Sequence, residues 1–314
     1  MNKLTANRLR QVLLAAQQIV LVCHRNPDAD TLGSALALWW WLKNQGITSH
    51  VFCLDPIPEF LNFLPGRQFV INQLPKELAE ITFVFMDCAS LNYTGLTLTS
   101  NILANTISLD HHQTNNRFAA LNLIEARASS TAEVVFHFFQ EISALITSPM
   151  ASNLLCGIIT DTGGLTFSNT SLTTFNAASR LLLLGAKLPL ITNQVNQNKE
   201  LSVLQIWGLA LASLQKNHYN LVFTVVPQSQ TAKLANSNGS LEGLANFLNS
   251  LKDGNFVLVL QENNGKIKGS LRTTKEHVDV SRLAKMLGGG GHRKAAGFTL
   301  DGQLEKTKLG WKII

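Results

Sequence analysis

Along the first two-thirds of the chain, short runs of consecutive apolar residues alternate with longer stretches whose apolar positions return every three to four residues. The short runs at 19–23, 51–54, 81–86 and 106–109 predict strands buried on both faces. The longer stretches at 33–43, 131–146, 148–159 and 171–184 predict helices. Apolar strands interleaved with helices argue for an α/β domain around a largely parallel sheet. Helical periodicity continues over 188–215 through Asn/Gln-rich positions, the texture of a connector. Strands are then expected at 221–226, 256–261, 266–271 and 295–300, with helical patterns at 241–251 and 280–287 between them. The expectation is an α/β domain over 1–187, a helical linker over 188–216 and a smaller C-terminal α/β domain over 217–314.

Composition narrows this further. A chain of 314 residues is long enough for two cored domains. With 46% apolar and 15% charged residues, it is neither disordered nor fibrous. The cysteines at 23, 53, 88 and 156 form no close pair, which excludes a disulfide framework or zinc knuckle and fits a reducing compartment. The longest apolar run, 35–42, stops at Lys43, well short of the ~18 residues of a membrane span. Lys3, Arg8 and Arg10 before an apolar segment imitate a signal peptide, but Gln17 and Gln18 interrupt it. A short helix and a buried strand of a cytoplasmic protein, without a membrane partner, are expected instead. The net charge of +6 is uneven, +7 over 216–314 and −1 over the remainder. That asymmetry suits an anionic ligand held partly by the second domain, although a lysine-rich surface accounts for the charge by itself.

The chemistry concentrates where predicted strands end. His24, Asp28 and Asp30 follow the first, Asp87 follows 81–86, Asp110-His111-His112 closes 106–109, and Asp161 follows the apolar 156–159. In an open α/β sheet, ligands bind beyond the carboxyl ends of the strands. Singly, each aspartate is an ordinary helix cap and each histidine an ordinary core or surface residue. Jointly they put five carboxylates and three imidazoles at one sheet edge. Crowded carboxylates repel unless a cation neutralises them, and Asp/His donors without thiolate suit Mn²⁺ best, with Zn²⁺ or Mg²⁺ behind it. The donors exceed what one ion needs, so two are expected, an arrangement able to clamp a phosphoryl group during in-line attack.

The segment His24-Arg25-Asn26-Pro27-Asp28-Ala29-Asp30-Thr31-Leu32-Gly33-Ser34 resembles the first motif of the DHH phosphoesterase superfamily. Asp87 resembles its second motif, Asp110-His111-His112 its third and Asp161 its fourth. Gly288-Gly289-Gly290-Gly291-His292-Arg293-Lys294-Ala295-Ala296-Gly297 is similar to the glycine-rich stretch of the associated C-terminal domain. Size and layout are most similar to the bacterial nanoRNase and 3′-phosphoadenosine-5′-phosphate phosphatase subfamily. The resemblance implies one metal on His24, Asp28 and Asp87, and a second on Asp30, Asp87, His111 and Asp161, with Asp87 bridging. It further implies that His112 faces the substrate phosphate and that Asp110 orients the histidine pair. Ala29 stands where this motif often has Gly, a mild departure.

On the phosphate side, 288–291 lacks the Lys-Ser/Thr ending of a Walker A loop, so an ATPase is excluded. Gly289, Gly290 and Gly291 let backbone N–H groups approach an anion that His292 can reach. A helix cap with a turn accounts for one or two of the four glycines. Arg272, in Gly269-Ser270-Leu271-Arg272-Thr273, offers a bidentate fork to a phosphate, the plainer reading being an exposed strand cation; Thr273 replaces the Ser expected from the subfamily. Ser129-Ser130-Thr131-Ala132-Glu133 is a capping box whose helix N-terminus could also face an anion. Trp39, Trp40 and Trp41 point in three directions on a helix and predict packing instead of a base-stacking platform.

These readings lead to a cytoplasmic two-metal phosphoesterase with its site in a cleft between two α/β domains. Its expected substrates are very short single-stranded RNA, cut to mononucleotides, and 3′-phosphoadenosine 5′-phosphate. The same residues serve a linear or cyclic dinucleotide phosphodiesterase, while a RecJ-like exonuclease and a pyrophosphatase fit less well. A non-catalytic nucleotide sensor is the alternative of a different class. A homodimer is suggested by the resemblance alone.

Overall fold

The computed structural model describes residues 3–75, 78, 80–196, 200–231, 241, 243–307 and 310–314. It divides into two compact units, 1–198 and 199–314.

The first unit runs α1 (Lys3–Ala15), β1 (Gln18–Cys23), α2 (Ala29–Asn44), β2 (Thr48–Phe52), β3 (Val70–Ile71), β4 (Ile81–Met86), α3 (Ser100–Leu103), β5 (Thr106–Asp110), β6 (Leu121–Ile124), α4 (Thr131–Glu141), α5 (Ser148–Asp161), α6 (Leu172–Leu183) and α7 (Leu188–Asn196). Its six strands lie in the order β3-β2-β1-β4-β5-β6, every neighbouring pair parallel. The apolar runs carry no polar alternation because both faces are covered. Ile19, Leu21, Cys23, Val84 and Met86 pack into the core with α1, α2, α4 and α5. Val20, Val22, Ile81, Phe83 and Phe85 face the opposite side, with Leu74, Leu91, Leu98 and Phe118.

Strand order reverses between β1 and β4, so the crevice where doubly wound sheets take ligands opens beyond Cys23 and Met86. Helix α2 is apolar around most of its circumference and lies against α5. Two glycines permit that approach. A Cβ on Gly33 would collide with the Asn153 carbonyl oxygen, and one on Gly157 would stand 2.7 Å from both Asp30 Oδ1 and Ala132 Cβ. The tryptophans diverge as expected. Trp39 stacks on Phe69, Trp41 meets Phe138 and Phe139, and the half-buried Trp40 donates to the Pro65 carbonyl.

The second unit runs α8 (Leu201–Ala212), β7 (Gln215–Lys216), β8 (Leu221–Val226), α9 (Gln228–Thr231), α10 (Leu244–Phe247), β9 (Phe256–Asn263), β10 (Lys266–Arg272), α11 (Val280–Met286), β11 (Gly290–Gly291), β12 (Ala295–Asp301), β13 (Leu304–Thr307) and β14 (Gly310–Ile313). Its sheet is mixed, in the order β11-β12-β10-β9-β8-β7. The helical stretch expected over 188–215 is two helices, α7 in the first unit and α8 packed into the second through Ile206 and Ala210. Its residues 197–199, and residue 242 of the pattern at 241–251, lie outside the described residues.

Candidate metal centre

Each cluster residue is positioned by an element that begins or ends at the crevice. His24 directly follows β1, and its Nδ1 lies 2.8 Å from the Arg25 carbonyl oxygen. With Nδ1 held there, Nε2 is the nitrogen that faces the carboxylates. That nitrogen stands 3.6 Å from Asp28 Oδ1 and 3.5 Å from Asp87 Oδ2. Asp28 is also the N-cap of α2, its Oδ1 accepting from the N–H groups of Asp30 and Thr31 at 2.9 and 3.0 Å. The ordinary capping role and the cluster position therefore coincide in one residue.

Asp30 is completely buried in the first turn of α2, facing the start of α4. Its Oδ2 accepts from Thr131 N–H at 2.7 Å and its Oδ1 from Ala132 N–H at 2.8 Å. The anion expected at this helix N-terminus is thus a carboxylate of the same chain. Asp87 directly follows β4 with φ of +59°, a left-handed backbone that aspartate tolerates better than most residues. Its N–H donates to the Leu109 carbonyl, and its Oδ1 accepts from Thr131 Oγ1 at 2.9 Å.

Beyond β5, His111 Nε2 stands 3.5 Å from Asp87 Oδ1, 3.4 Å from Asp161 Oδ2 and 4.0 Å from Asp30 Oδ2. His112 Nδ1 lies 2.7 Å from Asp110 Oδ1, which also accepts from the backbone N–H groups of both histidines. Asp161 departs from the strand-end pattern: it is the last residue of the helix α5. The helix expected over 148–159 is one continuous helix to residue 161, and it carries Asp161 at its C-terminal end.

The groups with donor atoms within 4.8 Å of one another include His24–Asp28–Asp87, Asp30–His111–Asp161 and Asp87–Asp110–His111–His112. Asp87 stands between the first two, Oδ2 toward His24 and Oδ1 toward His111. Electrostatics follow from the crowding. Burial, then the charges of neighbouring aspartates, push Asp30 and Asp161 well above the usual carboxylate range. Burial would raise Asp87 too, but the hydrogen bond from His24 and the charges of His112 and His111 outweigh it and lower its pKa. Burial lowers His111, whereas at His112 the Asp110 hydrogen bond and the Asp87 charge overcome burial and raise it to about 9.

This donor set fits divalent cations. It is oxygen and imidazole nitrogen, and the neighbouring Cys88 thiol instead donates to the Met86 carbonyl. Donor separations of 3.4–3.6 Å across Asp28, Asp87, Asp161, His24 and His111 are near the polyhedron edge of about 3.0–3.4 Å set by metal–ligand bonds of about 2.1 Å.

Several supporting residues gave no signal in the sequence. Asn115 donates to Asp110 Oδ2 at 2.7 Å and to the Cys88 carbonyl at 2.9 Å, bracing the aspartate that holds His112. Asn169 donates to the carbonyls of Asp161 and Ser129, tying the end of α5 to the start of α4. Glu133 caps its helix differently from the expected box. Ser130 Oγ accepts from Glu133 N–H, but the Glu133 carboxylate reaches back to Ser129 N–H and Oγ, and also accepts from Thr174 Oγ1.

In the second unit, Arg272 donates through Nε to Asn246 Oδ1 at 2.6 Å and through Nη1 to the Leu271 carbonyl, so it is a braced, half-buried side chain and not a loose strand cation. The glycine run has more structural cause than a cap with a turn. Gly288 has φ of +75° after α11, and a Cβ on Gly289 would collide with the Gly297 carbonyl oxygen. Gly290 and Gly291 pair with Gly297 and Ala296 as β11. The N–H groups of Gly288, Gly289 and His292 donate to the carbonyls of Lys285, Ala284 and Ala295. Those three amides, that of Gly289 among them, are engaged within the fold.

A doubly wound parallel sheet with acids and imidazoles interlocked at its switch point defines a class, hydrolases of α/β fold that work through divalent cations. Sequence comparison makes the class specific. Residues 18–158 match the DHH family N-terminal domain and residues 219–309 the DHHA1 domain, and the chain belongs to the DHH family of metal-dependent phosphoesterases. It is 31% identical over 297 residues to the bifunctional oligoribonuclease and PAP phosphatase NrnA of Thermus thermophilus, covering 93% of this chain and 87% of that one. The cyclic-di-AMP phosphodiesterase PdeA of Listeria monocytogenes is 25% identical over 95% of this chain but only 47% of its own length. Among solved structures, an exopolyphosphatase-related protein of Bacteroides fragilis superposes with a TM-score of 0.86 at 26% identity, covering 95% of this chain and 91% of that one.

Proposed function

We propose that this phosphoesterase hydrolyses very short oligoribonucleotides to mononucleotides and 3′-phosphoadenosine 5′-phosphate to AMP and phosphate, with two Mn²⁺ ions as its cofactors. The observation that carries the metal part is Asp87, whose two oxygens face imidazoles of two different donor groups. The substrate part is supported by the likeness to the Thermus relative over most of both chains.

One group would be His24, Asp28 and Asp87, and the other Asp30, Asp87, His111 and Asp161. Divalent ions held there supply Lewis acidity toward a phosphoryl oxygen and the means to ionise water near neutral pH. The chain's own residues do the rest. Asp110 fixes the His112 ring through Nδ1, so that its other nitrogen turns toward the substrate as hydrogen-bond donor or general acid. In the second unit, Arg272, steadied by Asn246, would offer its guanidinium to a phosphate, with His292, Gly290 and Gly291 as the other proposed substrate contacts. Attack of water on phosphorus then releases a nucleoside monophosphate from RNA, or phosphate from the 3′ position.

The complete donor set weighs against a non-catalytic nucleotide sensor. The Listeria relative keeps a linear or cyclic dinucleotide substrate as the second reading. A cytoplasmic location fits four free, buried cysteines, and among the described residues no helix is long and apolar enough to cross a membrane. The deciding assay is Mn²⁺-dependent turnover of di- to pentaribonucleotides, their DNA equivalents, 3′-phosphoadenosine 5′-phosphate and cyclic dinucleotides. Preferential release of AMP from 3′-phosphoadenosine 5′-phosphate and of mononucleotides from short RNA is expected. Exclusive turnover of cyclic dinucleotides overturns the substrate assignment.

A further inference from the structure

Thr131, fully buried in the first turn of α4, touches two of the clustered carboxylates at once. Its hydroxyl donates to Asp87 Oδ1 at 2.9 Å, and its backbone N–H donates to Asp30 Oδ2 at 2.7 Å, across 101 residues of sequence. The hydroxyl is closer to Asp87 than are His24, His111 or His112, whose nitrogens stand 3.4–3.5 Å away.

We infer that Thr131 is a positioning residue for the metal centre, its hydroxyl setting the rotation of the Asp87 carboxylate so that the two oxygens face the two donor groups. The inference rests on the metal-centre reading above. A carboxylate turns about its Cβ–Cγ bond with little intrinsic preference, because that torsion is broad. A residue shared between two sites must nevertheless aim both oxygens, and a short bond from a fixed donor to one of them does so.

The donor is fixed. Thr131 is β-branched, its N–H is anchored on Asp30, and the turn before it is held by Ser130 capping Glu133 N–H and by Ser129 donating twice to the Glu133 carboxylate. Were Thr131 only the start of a helix, removing its hydroxyl would alter stability and leave metal affinity alone.

Calorimetric titration of Mn²⁺ into the full-length wild type, Thr131→Val and Thr131→Ser, with circular dichroism to establish folding, separates the two. Valine keeps the shape and loses the donor, and should weaken Mn²⁺ binding about 10- to 100-fold, as loss of an outer ligand-orienting partner typically does. Serine keeps the donor and should bind within a few-fold of wild type. Should the valine variant not fold, Thr131→Ala carries the same comparison. Binding by the valine or alanine variant within twofold of a Mn²⁺-binding wild type overturns the role of Thr131, as does a serine variant as weak as valine. A wild type that takes up no Mn²⁺ instead overturns the metal-centre reading beneath it.

Discussion

Gly157→Ala perturbs the centre through a single methyl group. The added Cβ would stand 2.7 Å from Asp30 Oδ1, 2.7 Å from Ala132 Cβ and 3.1 Å from Asp30 Cα. Ordinary contact begins near 3.4 Å, so the Asp30 carboxylate and α4 must each retreat by several tenths of an ångström or α5 must back away from α2. Overpacking of this kind costs roughly 1–3 kcal/mol, while alanine in place of glycine inside a helix returns about 1 kcal/mol. The net destabilisation is roughly 0–2 kcal/mol, which at about 2–4 °C per kcal/mol lowers Tm by no more than about 8 °C. Activity should suffer far more. Asp30 is gripped by Thr131 and Ala132 N–H groups at 2.7 and 2.8 Å, and its displacement moves a cluster carboxylate with it. Misplacement by about 1 Å at a reacting centre costs on the order of 100-fold in rate, so a shift of several tenths of an ångström should cost roughly 10-fold. Phosphate release from 3′-phosphoadenosine 5′-phosphate with saturating Mn²⁺, beside a thermal melt, measures both quantities. Activity within twofold of wild type in a folded Gly157→Ala protein would refute the claim that Asp30 must sit where it does.

Other outcomes follow from the same contacts. Asn115→Ala leaves Asp110 Oδ2 without its donor and should lower kcat about 10- to 100-fold, with Tm reduced by only a few degrees; an unchanged kcat contradicts the bracing role. Glu133 is fully buried, and although burial would raise it, His137 and Ser129 hydrogen bonds hold it at about 2 against an ordinary 4.5. Because the folded pKa is the lower one, the stabilisation of roughly 3 kcal/mol is complete above about pH 4.5 and is lost as pH falls from there toward 2. Denaturant melts at pH 7 and pH 3 should show that loss in wild type and a smaller pH dependence in Glu133→Gln; parallel curves would count against it. Asp87→Ala should fold and lose turnover, and full activity in that variant would remove the proposed centre.

What the sequence made visible was whatever local pattern encodes. Buried parallel strands have near-continuous apolar runs, so β1, β4 and β5 were expected within a residue or two of where they lie, and with them His24, Asp87 and the Asp110–His112 triplet. The helix expected over 148–159 runs two residues further and ends on Asp161, so this member reaches the cluster from a helix end and not from a strand end. Thr131, Asn115 and Asn169 were invisible as supporting residues, since each acts through a contact made only when distant segments meet. The glycines divide the same way. The run 288–291 suggested ligand contact, whereas a left-handed cap, a close backbone approach and strand pairing account for most of it. Gly157 carries no local signal in the sequence, although it lets α5 approach Asp30.

The central claim, that the two donor groups meeting at Asp87 hold two cations, is tested most directly by counting them. Equilibrium dialysis of the metal-stripped protein against Mn²⁺ should give two ions per chain in wild type and at most one in Asp87→Ala, with turnover appearing as the ions bind. A wild type that hydrolyses its substrates at full rate in excess chelator, binding no Mn²⁺, would contradict it.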